Sequence, residues 1–169
     1  MTEKAARTKL NSLAGEVTTL LGGDAYLMYA TSTREPQNIF GAQVALDVLP
    51  FISEELKSIG KVKKLVVFIH TNGGDLNAPW PIVSLLREYC DKLCVVVLER
   101  ALSAGTLITI SADEIVMGPD SFLSPVDPQA QVQINGQKRG IEVEDVTGYI
   151  EFAKTKVGLT SGAGLERAF

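Results

Sequence analysis

Apolar positions along this chain fall into two kinds of run. Lys64–His70 (KLVVFIH) and Leu93–Leu98 (LCVVVL) are near-continuous in Val, Leu, Ile and Phe, the pattern of parallel strands covered on both faces. Elsewhere the apolar residues recur at helical spacing. Met1–Gly22 carries Leu10, Leu13, Val17, Leu20 and Leu21 in that rhythm, interrupted by Glu3, Lys4, Arg7, Lys9 and Glu16 and closed by Gly22-Gly23. It predicts an amphipathic packing or oligomer-contact helix rather than a signal peptide. Ala42–Gly60 predicts a second helix, with Val44, Leu46, Val48, Leu49, Ile52, Leu56 and Ile59 on its apolar face and a kink at Pro50. Pro79–Cys90 predicts a third, turning Ile82, Leu85 and Leu86 inward and Arg87 and Glu88 outward, and Ala104–Ala112 a fourth. Ala25–Ala30 (AYLMYA), followed by a polar loop over Thr31–Gln37, and Glu114–Met117 (EIVM) read as short strands. Strands alternating with helices in this way predict an α/β fold with a mostly parallel sheet.

Beyond Gly118 the texture changes. Pro119, Pro125 and Pro128 punctuate a loop, and Val132–Arg139 (VQINGQKR) predicts a hairpin turning at Asn135-Gly136. Val143–Val157 predicts an amphipathic helix with Val146, Tyr149, Ile150 and Ala153 on one side, and Gly158–Phe169 is Gly-rich. At 169 residues, one domain over 1–169 with a real core is expected. Hydrophobic residues make up 46% and charged residues 21%, and the net charge is −4. These values fit a globular protein and give no electrostatic reason to expect nucleic acid or acidic membranes as partners. No stretch is long and apolar enough to cross a bilayer. Cys90 and Cys94 sit in apolar contexts and predict reduced core thiols in a cytoplasmic protein. With a single His, neither a metal site nor any other cofactor is expected.

Both buried-type strands break into loops of small residues that lead into helices. Thr71-Asn72-Gly73-Gly74-Asp75 follows the first and Ala101-Leu102-Ser103-Ala104-Gly105-Thr106 the second. In an open α/β sheet such loops lie at the carboxyl ends of strands, where ligands bind. Ser103 stands in a frame close to the Gly-x-Ser-x-Gly nucleophile elbow, with Ala101 replacing the first Gly. A Ser before an apolar helix is also an N-cap, and the local sequence alone favours capping. Gly73-Gly74 offers backbone amides to a site, or simply a tight turn. No phosphate-binding glycine pattern is present. His70, ending an apolar strand, reads as a partly buried, hydrogen-bonded imidazole before a general base. Asp113, Glu114 and Asp127 read as loop and surface charges.

In order along the chain stand His70–Gly74 (HTNGG), Ser103–Thr106 (SAGT), Ala112–Gly118 (ADEIVMG) and Pro125–Gln129 (PVDPQ). This set resembles the serine dehydrogenase proteinase family, a branch of the Clp protease and crotonase-like fold. The likeness is strongest over residues 60–130. It implies a spiral of β-β-α units and a serine peptidase with Ser103 as nucleophile and the Gly74 and Ala104 amides as oxyanion hole. Gly73, His70 and Asp127 would support the site. Removing a comparable donor costs other enzymes about 3–4 kcal/mol. The family name notwithstanding, no dinucleotide fingerprint is present.

In Clp proteases a His follows the nucleophile in the stretch equivalent to Ser124–Gln129, and none stands there. A Ser-Lys dyad, as in related peptidases of this fold, would recruit Lys138 or Lys154, and Lys138 is the candidate base because it follows the hairpin turn. The chain is expected to be shorter at its C-terminus than the family's members. A peptide or protein substrate and a homo-oligomer are the expected partners. The alternatives are a catalytically silent scaffold or peptide-binding module and, behind it, a crotonase-type acyl-CoA enzyme.

Overall fold

The two near-continuous apolar runs become the centre of a parallel sheet. The computed structural model describes residues 2–31, 43–126, 129–134 and 137–142. They belong to two compact units, Met1–Val126 and Asp127–Phe169. In the first, β1 (Ala25–Ala30), β2 (Val62–Thr71), β3 (Cys90–Ala101) and β4 (Glu114–Met117) lie side by side in that order. All pairings are parallel, and β5 (Phe122–Leu123) follows β4 along the same edge of β3, so that Cys94 pairs with Glu114 and Arg100 with Phe122. Between β2 and β3 the register shifts. Ile69 faces Val97 but Thr71 faces Ala101, so four residues of β3 span two of β2.

Continuous apolarity in β2 and β3 reflects burial on both faces. On one face Leu65, Val67, Ile69, Leu93, Val95 and Val97 join Ile52 and Leu56 of α2 (Leu49–Ile59), Ile82 and Leu86 of α3 (Pro79–Glu88) and Ile108 of α4 (Ala104–Ile110). On the other, Val66, Phe68, Cys94 and Val96 meet Ala14 of α1 (Glu3–Leu20). The sheet is thus sandwiched, as parallel sheets require. Burial pushes the Cys90 and Cys94 thiols up, and the two are not joined.

Two helices depart from their sequence expectations. α1 turns Ala14 and Thr18 to the sheet, with Val17 and the C-capping Leu21 packed on the same cluster as their spacing predicts, while Leu10, Leu13 and Leu20 are 47%, 48% and 85% exposed. Small residues win the buried side because the chain comes close to the sheet: a Cβ on Gly23 would stand 2.6 Å from Val66 Cγ2. The predicted helix over 42–60 begins only at Leu49. Leu46–Val48 is a 3-10 turn, and Pro50 sits in the first turn of α2, where its missing N–H is no loss, so it causes no kink. Val44, assigned to that helix by spacing, instead bridges Gly74 in an extended segment. Cys90, expected at the end of α3, opens β3.

Asp113 ties the start of β4 to β3 and α3. Its carboxylate accepts the Leu93 N–H at 2.7 Å and lies 3.2 and 3.3 Å from the Arg87 guanidinium. The Leu93 amide first, and Arg87 second, hold its pKa below the ordinary 3.8. A depressed carboxyl pKa gives stability that is present above the unfolded pKa and lost as pH falls through the folded one. The thermal midpoint of Asp113→Ala should therefore lie below that of wild type at neutral pH. The gap should close in acid titration as pH drops below 3.8; a gap constant from pH 7 to 2 would contradict this role.

In the second unit, β6 (Gln129–Ile134) and β7 (Gln137–Glu142) pair antiparallel from Gln129↔Glu142 to Ile134↔Gln137. They flank Asn135-Gly136, at the place where the sequence predicts a hairpin turn. The turn itself, the loop residues 32–37, Asp127 and the predicted helix and tail over 143–169 lie outside the described residues.

Candidate active site

Two loops meet at the carboxyl ends of β2 and β3, stitched together through Thr71. Its carbonyl accepts the Leu102 N–H at 3.1 Å, and its hydroxyl oxygen accepts the Gly73 N–H at 3.0 Å and the Thr31 hydroxyl at 2.8 Å. Thr71 is fully buried, so these bonds are shielded from water. Gly73 has φ 94°, and a Cβ there would lie 2.9 Å from Ser103 Cβ and 2.7 Å from the Leu102 carbonyl oxygen. The Gly-Gly loop thus abuts Ser103, closer than any residue with a side chain could come.

Gly74 is fixed by Val44. The Val44 N–H donates to the Gly73 carbonyl and the Asp75 N–H donates to the Val44 carbonyl, each at 2.8 Å. Successive backbone groups in an extended segment point alternately to either side. With Gly73 and Asp75 engaged by Val44, the Gly74 N–H points away from it and has no hydrogen-bond partner among the described residues.

Ser103 sits between β3 and α4 with φ 48° and ψ −114°. Among the described residues it is the one non-glycine with positive φ, a conformation that persists only where surrounding structure enforces it. The capping bond that the local sequence favours is absent: the Ser103 side chain accepts nothing from the first turn of α4. A residue folded this way cannot aim its oxygen back at the N2 or N3 amide as an extended N-cap does. Ala104 follows as the first residue of α4, and its N–H is one of the amides a helix start leaves without an internal partner. Gly105 lets α4 close down on β2, since a Cβ would run into the Thr71 side chain and lie 3.4 Å from Ala101 Cβ. The small residues of Ser103–Thr106 thereby have their physical reason.

Ser103, Ala104 and the Gly73-Gly74 loop are brought together. His70 is not joined to them. Its Nδ1 lies 3.6 Å from Glu99 Oε2, and no hydrogen bond connects it with Ser103. Lys138 occupies β7 opposite Gln133; its side chain, like Asp127, lies outside the described residues.

Sequence reasoning missed two hydroxyls here. The Ser103 N–H donates to Ser124 Oγ at 2.8 Å, and the Ser124 N–H donates to Thr106 Oγ1 at 3.2 Å. Thr106 was visible within the SAGT motif and Ser124 just before PVDPQ, but neither position advertises a partner so distant along the chain.

A serine on a strained strand-to-helix turn, next to two amides without partners among the described residues, one its own neighbour's and one from the Gly-Gly loop, has the backbone arrangement that a nucleophile elbow shares. The family described as ClpP-like SDH-type serine proteinase matches residues 51–139, just over half of the chain, and the chain belongs to that family. It is 35% identical over 100 residues to one uncharacterized protein of Methanocaldococcus jannaschii, covering 57% of this chain and 35% of the relative. A second uncharacterized protein of that organism is 41% identical over 63 residues, 37% of this chain and 22% of the relative. The chain thus spans about a third or less of the length of these curated relatives. Among solved structures, a mutant of the 1510-N membrane-bound stomatin-specific protease superposes with a TM-score of 0.52 at 15% identity, over 78% of this chain and 60% of that one. The shared α/β fold, with its mostly parallel sheet, is the Clp-protease-like one. Among the described residues no helix is long and apolar enough to cross a membrane.

Proposed function

We propose that this chain is a serine endopeptidase acting through Ser103. The observation that carries the reading is the backbone of Ser103, held at φ 48° on the turn into α4 with its hydroxyl uncommitted to capping. Ser103 Oγ attacks the peptide carbonyl, its proton passes to a base, and the oxyanion is received by the Gly74 and Ala104 N–H groups. Collapse of the intermediate breaks the C–N bond, the base returns the proton to the leaving amine, and water hydrolyses the acyl-enzyme. Lys138 is the proposed base, a role that needs its amine in the neutral form, and Asp127 an orienting group. Activity then rises with pH as the lysine loses its proton. The working particle is a symmetric homo-oligomer, the usual state of such subunits, and light scattering from an 18.2 kDa particle alone would count against it.

A fluorophosphonate probe tests the reading. The adduct, located by mass spectrometry, should fall on Ser103 and be absent from folded Ser103→Ala. Lys138→Ala should abolish it, and His70→Ala only weaken it, since no hydrogen bond joins His70 to Ser103. Labelling of another serine, or none in the intact assembly, would overturn the peptidase reading and leave the silent scaffold. Full labelling of Lys138→Ala would remove that lysine from the site.

A further inference from the structure

The Ser103 amide is already taken. Its N–H donates to Ser124 Oγ at 2.8 Å, across 21 positions of sequence. The Ser124 hydroxyl proton is directed in turn to the Pro125 carbonyl at 3.0 Å. A hydroxyl has one proton and two lone pairs, so with its proton committed Ser124 meets Ser103 as an acceptor. A parallel chain supports it: the Ser124 N–H donates to Thr106 Oγ1 at 3.2 Å, and Thr106 sends its own proton to the Ala101 carbonyl at 2.7 Å. The Thr106 hydroxyl also lies 3.0 Å from the Ser124 carbonyl, and the Thr106 residue is only 7% exposed. A backbone N–H can only donate, so Ser124 Oγ and Thr106 Oγ1 accept in these two bonds whichever carbonyl takes each hydroxyl proton.

We propose that Ser124 is a positioning residue for the Ser103 nucleophile, holding the strained elbow through the Ser103 amide, with Thr106 holding Ser124. The inference rests on Ser103 acting as nucleophile. The backbone of Ser103 lies where a serine does not settle unaided, and relaxing it means rotating the peptide that precedes Ser103. That rotation swings the Ser103 N–H off Ser124 and leaves a partly buried donor unpaired, so the hydrogen bond opposes relaxation directly. It also sorts the two amides of the elbow. The Ser103 N–H is spent on Ser124, while the Ala104 N–H has no partner among the described residues and remains available to a developing oxyanion. Ser124 touches no reacting atom; it sets where Oγ of Ser103 stands.

The test compares Ser124→Ala with Ser124→Thr, which keeps the hydroxyl. In Ser124→Ala the Ser103 amide should exchange with deuterium faster than in wild type while hydrogen-bonded amides of α4 such as Leu107 stay protected, and Ser124→Thr should restore the protection. The rate of phosphonylation at Ser103, and kcat on a peptide substrate, should fall about fivefold, the typical worth of one such hydrogen bond. KM should hold, and the threonine should recover most of the loss. A merely structural role would lower the thermal midpoint without moving these quantities. Should Ser124→Ala fail to fold, Ser124→Cys takes its place, because a thiol is a weak acceptor, and an intermediate rate is expected. Unchanged Ser103 exchange, or an unchanged phosphonylation rate in folded Ser124→Ala or Ser124→Cys, overturns the proposal. A wild-type protein that is never labelled at Ser103 overturns the peptidase reading and the catalytic role of Ser124 with it, and the amide exchange then reports separately on the hydrogen bond.

Discussion

Ser103→Gly is expected to yield a protein that is inert and more stable than wild type. Without Oγ no acyl-enzyme forms, and loss of the nucleophile in a serine peptidase costs on the order of a millionfold in kcat. The stability gain follows from φ 48° at that position. A non-glycine residue held there costs about 1–3 kcal/mol, and glycine releases this strain. The greater freedom of glycine in the unfolded chain takes back about 1 kcal/mol. A net gain of about 1 kcal/mol would raise the thermal midpoint by about 2–4 °C. Ser103→Ala should lose turnover equally but keep the strain and the wild-type midpoint. Peptide hydrolysis and thermal unfolding of the three proteins decide the matter. Turnover surviving within tenfold in either variant would rule Ser103 out as nucleophile. Equal midpoints for the glycine and alanine variants would mean that the turn is not strained.

Gly74→Ala should be the most damaging conservative change outside the nucleophile. A Cβ at Gly74 would press on the backbone of Val44, 2.5 Å from its nitrogen, and stand 3.0 Å from Gln43 Cβ. Backbone held in a bridge does not yield as a side-chain tip does, so the loop must move and carry the Gly74 amide with it. Loss of one oxyanion donor costs about 100- to 1000-fold in kcat, and overpacking against the bridge costs about 1–3 kcal/mol of stability. Gly22→Ala is the control. It also has positive φ, 67°, but a Cβ there meets nothing within 4 Å. It should cost stability alone, with turnover unchanged. Near-wild-type kcat in Gly74→Ala would exclude that amide from the oxyanion site.

The parts of this fold that were legible in the sequence are those where one physical requirement dominates. Burial on both faces makes β2 and β3 near-continuous in apolar residues, and the short strands Ala25–Ala30 and Glu114–Met117 stand out for their lack of charge in the interior. The ends of β3 were hidden because Asp91, Lys92, Glu99 and Arg100 are exposed or half-buried and look like loop. The start of α2 was misplaced because Val44, Leu46 and Val48 continue a helical rhythm although Val44 pairs with Gly74. Spacing located α1 and the packing of Val17 and Leu21, but not the exposure of Leu10, Leu13 and Leu20, since closeness to the sheet selected Ala14 and Thr18 for the innermost positions.

At the site, Ser103, Ala104 and Gly73-Gly74 could be named from the motifs. Whether Ser103 caps a helix or stands on an elbow could not be read locally, because both need a small residue at a strand-to-helix junction. The distinction lies in a backbone angle. Ser124 was illegible for a different reason: its partner is an amide, which every residue but proline possesses, so no sequence pattern marks the pair.

The register shift between β2 and β3 works as a ruler. Over the interval where β2 runs from Ile69 to Thr71, β3 runs from Val97 to Ala101, and the extra length lies in Leu98, Glu99 and Arg100, none of them buried. Leu98 and Glu99 are exposed and Arg100 half-buried, so their identities are less constrained than their number. Each residue advances a strand by about 3.3 Å, so deleting two would draw Ser103 back by about 6–7 Å and part it from Gly73. In a lineage of such chains, this short stretch should vary more in composition than in length.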